Sequence, residues 1–462
     1  MHDENDLEAF LDELRGALGE RSVKTGEDVS DDYSHDEALT AEWRRPVAVA
    51  FPTTTEQVST IARLASLHGV PIVARGSGTG LSGGAVPVPG SLVVTFEEMN
   101  EIIEIDEANH VAVVQPGVTL AALDQALAEV GFVYPVFPGE LGSSLGGNVA
   151  TNAGGMRAVK YGVTRHQVLG LEFVLAGGDI MRSGGKYVKS SSGYDLVQLI
   201  IGSEGTLALV TEVTLRIYPR PGYSTTMLVP FASLASISNA VPELLGTGVT
   251  PLVLEYMDAV GLSAMSARVG FELGVGDAIK NAAKAYLFVI LEANSPSTLD
   301  SETETFSELL LELGALDVFL LSEPSATKLL EAREGAFWVS KALGANDLVD
   351  VVVPRAEIPA YLERVNAIAA DSESFISAAG HVGDGNIHFS IFQPDETKRY
   401  EVIREMLDFG LALGGSISAE HGIGSEKRKY LLELEDSDKL ELMRRIKAAF
   451  DPQGILNPGK VI

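Results

Sequence analysis

The sequence predicts an α+β protein built from more than one domain. Three observations carry this. The chain has 462 residues, of which 46% are hydrophobic, which is too long for one ordinary core. A strand–helix–strand pattern runs from residue 46 to 74. Beyond Pro219-Arg-Pro-Gly222 the texture changes to strands and helices in alternation, as expected of an antiparallel sheet with helices on one side.

Taken in order, Leu7, Phe10, Leu11, Leu14 and Leu18 fall at helical spacing, so a helix is expected over 6–18, with Asn5 or Asp6 as its cap. Residues 25–40 are acidic and read as loop. Pro46–Phe51 is a short apolar strand. Thr53 to His68 places Val58, Ile61, Ala62 and Ala65 on one helical face, and Val70–Ala74 is a second strand. It leads into Arg75-Gly-Ser-Gly-Thr-Gly-Leu-Ser-Gly-Gly84. Strands are expected at 92–96, 102–105 and 111–114 and a helix at 119–130. A second glycine-rich segment, from Gly139 to Gly155, comes next. Further strands follow at 168–176, 179–182 and 207–217. Past the Pro219 cluster, strands at 226–230, 252–256, 285–291 and 316–320 alternate with helices at 233–245, near 258–267 and at 299–313. From about residue 400 the chain reads as mostly helical.

Composition excludes several classes. The formal net charge is −30, which argues against nucleic acid and against docking to anionic lipid through a basic patch. With no cysteine, the chain can have no disulfide, iron–sulfur cluster or thiolate ligand of its own, so any metal must be held by nitrogen and oxygen. The 47 glycines exceed the roughly 7% of an average chain, and they are clustered rather than periodic. The first residues have no basic and apolar leader pattern, and no apolar run approaches a membrane span. A cytoplasmic protein is expected, with peripheral membrane contact left open.

The segment His381-Val-Gly-Asp-Gly-Asn-Ile-His388 places two imidazoles seven residues apart. On one straight strand they would face opposite ways. Asp384-Gly385 between them is a hairpin signal, and a turn there lets both rings face one ion. Glu420, beside His421, is a third candidate ligand. Three of the chain's eight histidines lie at these two places. Two imidazoles and a carboxylate suit a divalent metal such as zinc, and a neighbouring histidine suits proton transfer. A polar hairpin without an ion is the plain alternative.

Arg75–Gly84 lacks the lysine of a P-loop and the spacing of a dinucleotide fingerprint. Its glycine backbone can still approach a phosphate and donate N–H groups to it. The second segment adds Ser143, Ser144, Asn148, Thr151 and Asn152 among small residues, a surface suited to a long flat ligand with a pyrophosphate. Two such segments at strand ends suggest one large cofactor bound between them.

Together these segments resemble the vanillyl-alcohol oxidase family of flavoproteins, and within it the D-2-hydroxy-acid dehydrogenases: D-lactate dehydrogenases, the glycolate oxidase FAD subunit and D-2-hydroxyglutarate dehydrogenase. The matching stretches, from about Arg45 to Ile462, include Arg75–Gly80, Gly147-Asn-Val-Ala-Thr-Asn-Ala-Gly-Gly155, Ile201-Gly-Ser-Glu-Gly-Thr206, Asp350-Val-Val-Val-Pro354, His381–His388, Glu420-His-Gly-Ile-Gly424 and Leu456-Asn-Pro-Gly459. The resemblance implies an FAD-binding domain of two α+β subdomains (45–221) behind an N-terminal helix and acidic loop (1–44). It implies an α+β cap domain with an antiparallel sheet (222–410) and a C-terminal helical segment returning to the flavin (411–462). It places Arg75, Gly76, Ser77, Gly78, Thr79, Gly80, Gly142, Ser143, Ser144, Gly147, Asn148, Thr151, Asn152 and Gly155 on FAD, with Glu204, Gly205, Val210 and Asn457 near its adenine half, chain or ring. His381, His388 and Glu420 match metal ligands, His421 a general base and Arg333 a carboxylate clamp. Arg355 and Asn386 are further candidates for substrate.

The first loop has no histidine, so FAD is expected to be non-covalent. The hydroxyglutarate-specific relatives carry a lysine shortly before the Asp-Val-x-x-Pro motif. Here that region reads Asn346-Asp-Leu-Val-Asp350, which favours lactate or glycolate. The electron acceptor stays open among a quinone, a cytochrome and an electron-transfer flavoprotein, as does a homodimer. Two other readings stand beside this one: an alcohol or lactone oxidase using oxygen, and a non-catalytic flavin-binding subunit of an oxidase complex.

Overall fold

A computed structural model describes residues 4–270 and 274–462. The N-terminal helix, Glu4–Leu18, buries Phe10 and Leu14 completely against the helix Thr55–His68. Asn5 and Asp6 lie inside its first turn rather than capping it, and the residue before Glu4 is outside the described range. In the second helix the Thr54 hydroxyl accepts from Gln57 N, and Gly69 ends it in a left-handed conformation (φ 67°), where glycine is unstrained.

That helix crosses over between parallel strands. The first sheet has the order Val23–Thr25, Ala48–Ala50, Leu92–Thr95, Ile72–Arg75. The strand Val23–Thr25 joins antiparallel and the rest pair in parallel. The segment 1–44 is therefore not a separate unit. Its helix and strand share a core with Ile61, Ile72 and Leu92. A second sheet, wholly antiparallel, runs Ile102–Asp106, Val111–Val114, Leu209–Arg216, Val168–Val174, Ile180–Gly184. The second glycine-rich segment holds a short helix, Leu145–Thr151, started by the Ser144 hydroxyl, which accepts from Gly147 N.

Past the Pro219 cluster lies an antiparallel sheet of seven strands, in the order Phe319–Leu320, Tyr223–Phe231, Ala285–Ala293, Val253–Asp258, Phe375–His381, Asn386–Phe392, Asp347–Val352. The expected strand at 316–320 shortens to two residues, and a further strand, Asp347–Val352, closes the far edge. One face packs on helices such as Leu234–Gly246, Pro296–Glu312 and Ile358–Asp371 through the largest core. The helix Glu396–Ala412 runs through the boundary drawn at 410, because Val402, Ile403 and Met406 belong to that same core. The chain end returns to the first sheet: Ile72 N donates to Ile455 O and Asn457 N to Ile72 O, both at 2.7 Å.

Candidate active site

The other face of the large sheet carries the candidate site residues. The turn between Phe375–His381 and Asn386–Phe392 pairs His381 with Asn386 and Ala379 with His388. Cross-strand partners share a face, so the tight turn cancels the odd spacing and both imidazoles point the same way. Gly385 (φ 98°) is required there, since a Cβ would run into the Val353 carbonyl. The two Nε2 atoms stand 3.1 Å apart. Each is 3.3 Å from Glu420 Oε1.

Asp350, opposite His388 in the next strand, delivers Glu420 to this point. Its Oδ2 accepts from the backbone N–H groups of Ala419, Glu420 and His421 at 2.8–2.9 Å, which fixes the loop carrying both candidate side chains. Its Oδ1 accepts from the Asn386 amide at 2.6 Å and lies 3.4 Å from His388 Nδ1. Burial would push Asp350 up, but His421 and His388 outweigh it and hold the carboxyl below its ordinary range.

On the other side stands Glu255. The register Tyr256↔Gly380 and Met257↔Ala379 sets it opposite His381, and it is completely buried. Its Oε1 is hydrogen-bonded to His381 Nδ1, and its Oε2 accepts from Arg333 Nε at 2.8 Å. Burial acts to raise Glu255; the charges of His381 and Arg333 overcome it, so the carboxyl is lowered. Burial would lower His381, but Glu255 and Glu420 outweigh it and hold its pKa well above the ordinary imidazole range; the carboxylate at Nδ1 keeps one proton there, and an ion would take the place of the proton at Nε2. Four adjacent strands thus each give one ionisable residue to one face: Glu255, His381, His388 and Asp350.

These groups fit a divalent cation. Ligands at ~2.0–2.1 Å in tetrahedral array stand roughly 3.3–3.4 Å apart, close to the His381–His388–Glu420 triangle. Asp350, His388 and His421 form a second group of suitable spacing, but the Asp350 oxygens are already occupied by N–H donors. Glu420, despite burial, is held well below its ordinary range by His381.

His421 stacks on His388 with ring centroids 4.9 Å apart. Burial lowers its pKa, favouring the unprotonated ring that a base requires. The Arg333 side chain is 11% exposed, and its buried Nη2 has no partner. It does not pair with Glu331 or Glu334, its helix neighbours; it pairs with Glu255 and faces the cavity.

One cavity of about 410 Å³ joins this cluster to the glycine-rich segments. Besides Arg333 Nη2 and His388 Nδ1 in the cluster, three buried polar atoms on its wall have no partner: Ser143 Oγ, Asn148 Nδ2 and Asn457 Oδ1. Buried polar groups are rarely left unpaired, so this wall fits a polar ligand. The second glycine-rich segment also touches the ionisable cluster, since a Cβ on Gly154 would collide with the Glu420 carboxylate.

Residues 46–184 match the family described as FAD binding domain, and residues 220–461 match FAD linked oxidases, C-terminal domain. The chain belongs to the FAD-linked oxidases. It is 50% identical over 444 residues to an uncharacterized FAD-linked oxidoreductase of Mycobacterium tuberculosis, covering 96% of this chain and 97% of the relative. It is 39% identical over 440 residues to glycolate oxidase subunit GlcD of Bacillus subtilis (93% and 91%). With D-lactate dehydrogenase of Anaerostipes hadrus the identity is 36% over 454 residues (96% and 95%). Among solved structures, p-cresol methylhydroxylase with substrate bound superposes with a TM-score of 0.83 at 19% identity, over 100% of this chain and 97% of that one. The fold is therefore the expected one, an FAD-binding domain of the vanillyl-alcohol oxidase type with an α+β cap.

In this FAD-linked oxidase Arg75, Gly76, Ser77, Gly78, Thr79 and Gly80 line the cavity, as do Ser143, Ser144, Gly147, Asn148 and Thr151 and also Glu204, Gly205, Val210 and Asn457. Several candidates lie elsewhere. Gly142 is exposed. Asn152 caps the helix Leu145–Thr151 and accepts from Arg165 N. Gly155 (φ 119°) is needed where the chain presses on the Phe137 carbonyl. Asn386 donates to Asp350 Oδ1 and the Val351 carbonyl rather than facing the cavity. Arg355 is exposed in the turn Arg355–Glu357. Two contributors were missed. Glu255 is a lone carboxylate inside Leu252-Val-Leu-Glu-Tyr-Met257, a buried apolar run, and that was its signal. Asp350 likewise opens an apolar run.

Proposed function

We propose that this FAD-linked oxidase is a metal-dependent dehydrogenase of D-2-hydroxy acids that oxidises them to 2-oxo acids. The observation that carries this is the convergence of His381, His388 and Glu420 beside His421 and the unpartnered Nη2 of Arg333, on the wall of the cavity lined by the glycine-rich segments. An oxygen-using alcohol or lactone oxidase would leave these groups idle. A non-catalytic subunit would have no need to keep base and ligands together. The D configuration rests on the relatives named above.

When bound, FAD supplies the acceptor for the hydrogen and electron pair leaving C2, and a divalent ion, zinc by its donor set, supplies a Lewis acid beside the oxygens of the substrate. His381, His388 and Glu420 would hold the ion. The cavity-lining residues of 76–80 and 143–151, with Glu204, Gly205, Val210 and Asn457, would hold FAD without a covalent bond. Arg333 binds the substrate carboxylate through Nη2. His421 takes the hydroxyl proton as the C2–H bond breaks and the C2–O double bond forms. Glu255 steadies both Arg333 and His381, and Asp350 holds His421 at its backbone. The substrate is a monocarboxylic 2-hydroxy acid, the class of lactate and glycolate, because Leu348 stands on the cavity wall just before Asp350. Electrons leave to a separate carrier, a quinone, cytochrome or electron-transfer flavoprotein. No helix among the described residues is long and apolar enough to cross a membrane.

The test is anaerobic bleaching of the bound flavin by a panel of D- and L-2-hydroxy acids. Bleaching by D-monocarboxylates is expected; a flavin that no 2-hydroxy acid reduces would sink the proposal. Acid precipitation should release all yellow colour, and colour kept in the pellet would contradict non-covalent FAD.

A further inference from the structure

The cavity does not end at the ionisable cluster. On the face that carries the histidines, the hairpin continues outward in rungs: Ala379 opposite His388, Ser377 opposite Ser390, Phe375 opposite Phe392. All six line the cavity. From His388 to Phe392 is four residues, ~13 Å along a strand. The middle rungs are small and leave space. Their hydroxyls are engaged elsewhere: Ser377 Oγ donates to Asp258 Oδ2 at 2.8 Å and Ser390 Oγ to Ser340 Oγ at 2.7 Å. The floor therefore offers a ligand few free polar groups.

The walls are apolar as well. The helix Ala259–Val269 contributes Val260 and Ala264, and the helix Ala336–Ala342 contributes Phe337 and Trp338. Leu348 joins from the edge strand, on the rung of Ser390. At the mouth, Val260, Leu343 and Phe375 are 63%, 64% and 53% exposed. Large apolar side chains gathered around one opening mark a binding surface rather than chance exposure. Among the described residues lining the cavity, the only lysine or arginine side chains are Arg75, beside the first glycine-rich loop, and Arg333. Lys341 Nζ lies 5.6 Å and 5.2 Å from the Phe337 and Trp338 rings but is paired with Glu37 Oε2 at 2.7 Å, so a second carboxylate in the outer channel would meet no unpaired cation.

We infer that the channel beyond the histidines takes the 2-substituent of the substrate, and that the preferred substrates are monocarboxylic 2-hydroxy acids with an extended apolar tail. This rests on the proposed 2-hydroxy-acid oxidation and deepens it. The carboxylate and hydroxyl stay at Arg333 and the histidine cluster, and the tail runs along Ala379, Ser377 and Ser390 toward the phenylalanine pair. Continuity with the reacting end selects this occupant, because a molecule held by its carboxylate at Arg333 has the channel as its apolar exit.

The holoenzyme tests it. Anaerobic flavin reduction is followed against glycolate, lactate, 2-hydroxybutyrate, 2-hydroxyoctanoate and 2-hydroxyglutarate, all in the D form where chiral. Each buried methylene is worth about fourfold. The second-order reduction constant should therefore rise along the series, to at least about thirtyfold above lactate for the eight-carbon acid, with 2-hydroxyglutarate poorest. Reduction by lactate without a rise along the series would overturn the inference and leave the parent proposal standing, the apolar wall then falling to another occupant such as a quinone. No reduction by any acid would overturn both. Leu348→Lys adds a cation to the channel, and a gain cannot come from misfolding: the ratio of 2-hydroxyglutarate to 2-hydroxyoctanoate should climb at least about tenfold in this variant. An unchanged ratio in folded, FAD-replete protein would place the tail elsewhere and also overturn the inference.

Discussion

The two halves of the cavity are built from opposite materials. The half lined by the glycine-rich segments is mostly backbone and small side chains, with a few polar atoms left unpaired on its wall. The sheet-side half is made of charged side chains locked in pairs: Asp350 under the 419–421 backbone, Glu255 between His381 and Arg333. A cradle for a large cofactor needs close approach, so it removes side chains. A reacting centre needs each ionisable group held in one tautomer and one direction, so it adds partners behind them. The first half should therefore be sensitive to bulk, and the second to loss of charge or register.

The sharpest way to separate them is an insertion. One residue added after Gly385 shifts the register of Asn386–Phe392 and sends His388 to the opposite face. Turnover should vanish while FAD stays bound; loss of FAD from a folded variant would show that the halves are not separable. His421→Ala comes next, with flavin reduction expected to slow by about 10²–10⁴-fold and flavin content unchanged. A normal rate in that variant would remove His421 as the base and revive a non-catalytic subunit. Glu255→Gln keeps the shape and removes the charge behind His381. Metal affinity should weaken about 10–100-fold, measured by competition with a chromophoric chelator, and retention of full affinity would make Glu255 a bystander.

A further effect lies on the cofactor side. Burial pushes Glu204 up to about 7 although Ile423 N and Gly424 N donate to it. A carboxyl whose folded pKa exceeds its unfolded one gives stability that is complete below the unfolded value and lost as pH rises through the folded one. For Glu204 the window is about 4.5 to 7. FAD-free wild type should lose up to ~3 kcal/mol relative to Glu204→Gln across that window. Denaturant melts at several pH values check it, and parallel curves for the two proteins would refute it.

The same contrast explains what could be read from the sequence. Glycine clusters announce themselves, because close approach and positive φ are properties of the residue type; Gly76, Gly78 and Gly147 needed no partner to be noticed. His381, His388, Glu420 and His421 were visible through rarity and the Asp384-Gly385 turn. Glu255 and Asp350 were not, because their roles depend on which strands are neighbours and in what register, 126 and 71 residues from the groups they hold. Asn386 misled for the same reason. It shares the histidine face, but its amide is captured by Asp350. Arg355 misled because a positive charge after a strand has no preferred direction until the turn is known. The apolar channel depends on the pairing of Ser377 with Ser390 and of Phe375 with Phe392, which spacing alone does not fix.

The central claim is that the sheet-side cluster works as a metal site in front of a flavin. It is tested most directly by anaerobic flavin reduction with a D-2-hydroxy acid before chelation, after chelation, and after return of a divalent cation. Reduction should be lost on chelation, with the oxidised flavin still bound, and restored by zinc or a similar ion. Unchanged reduction in thoroughly chelated protein, with metal content shown to be nil, would contradict the account.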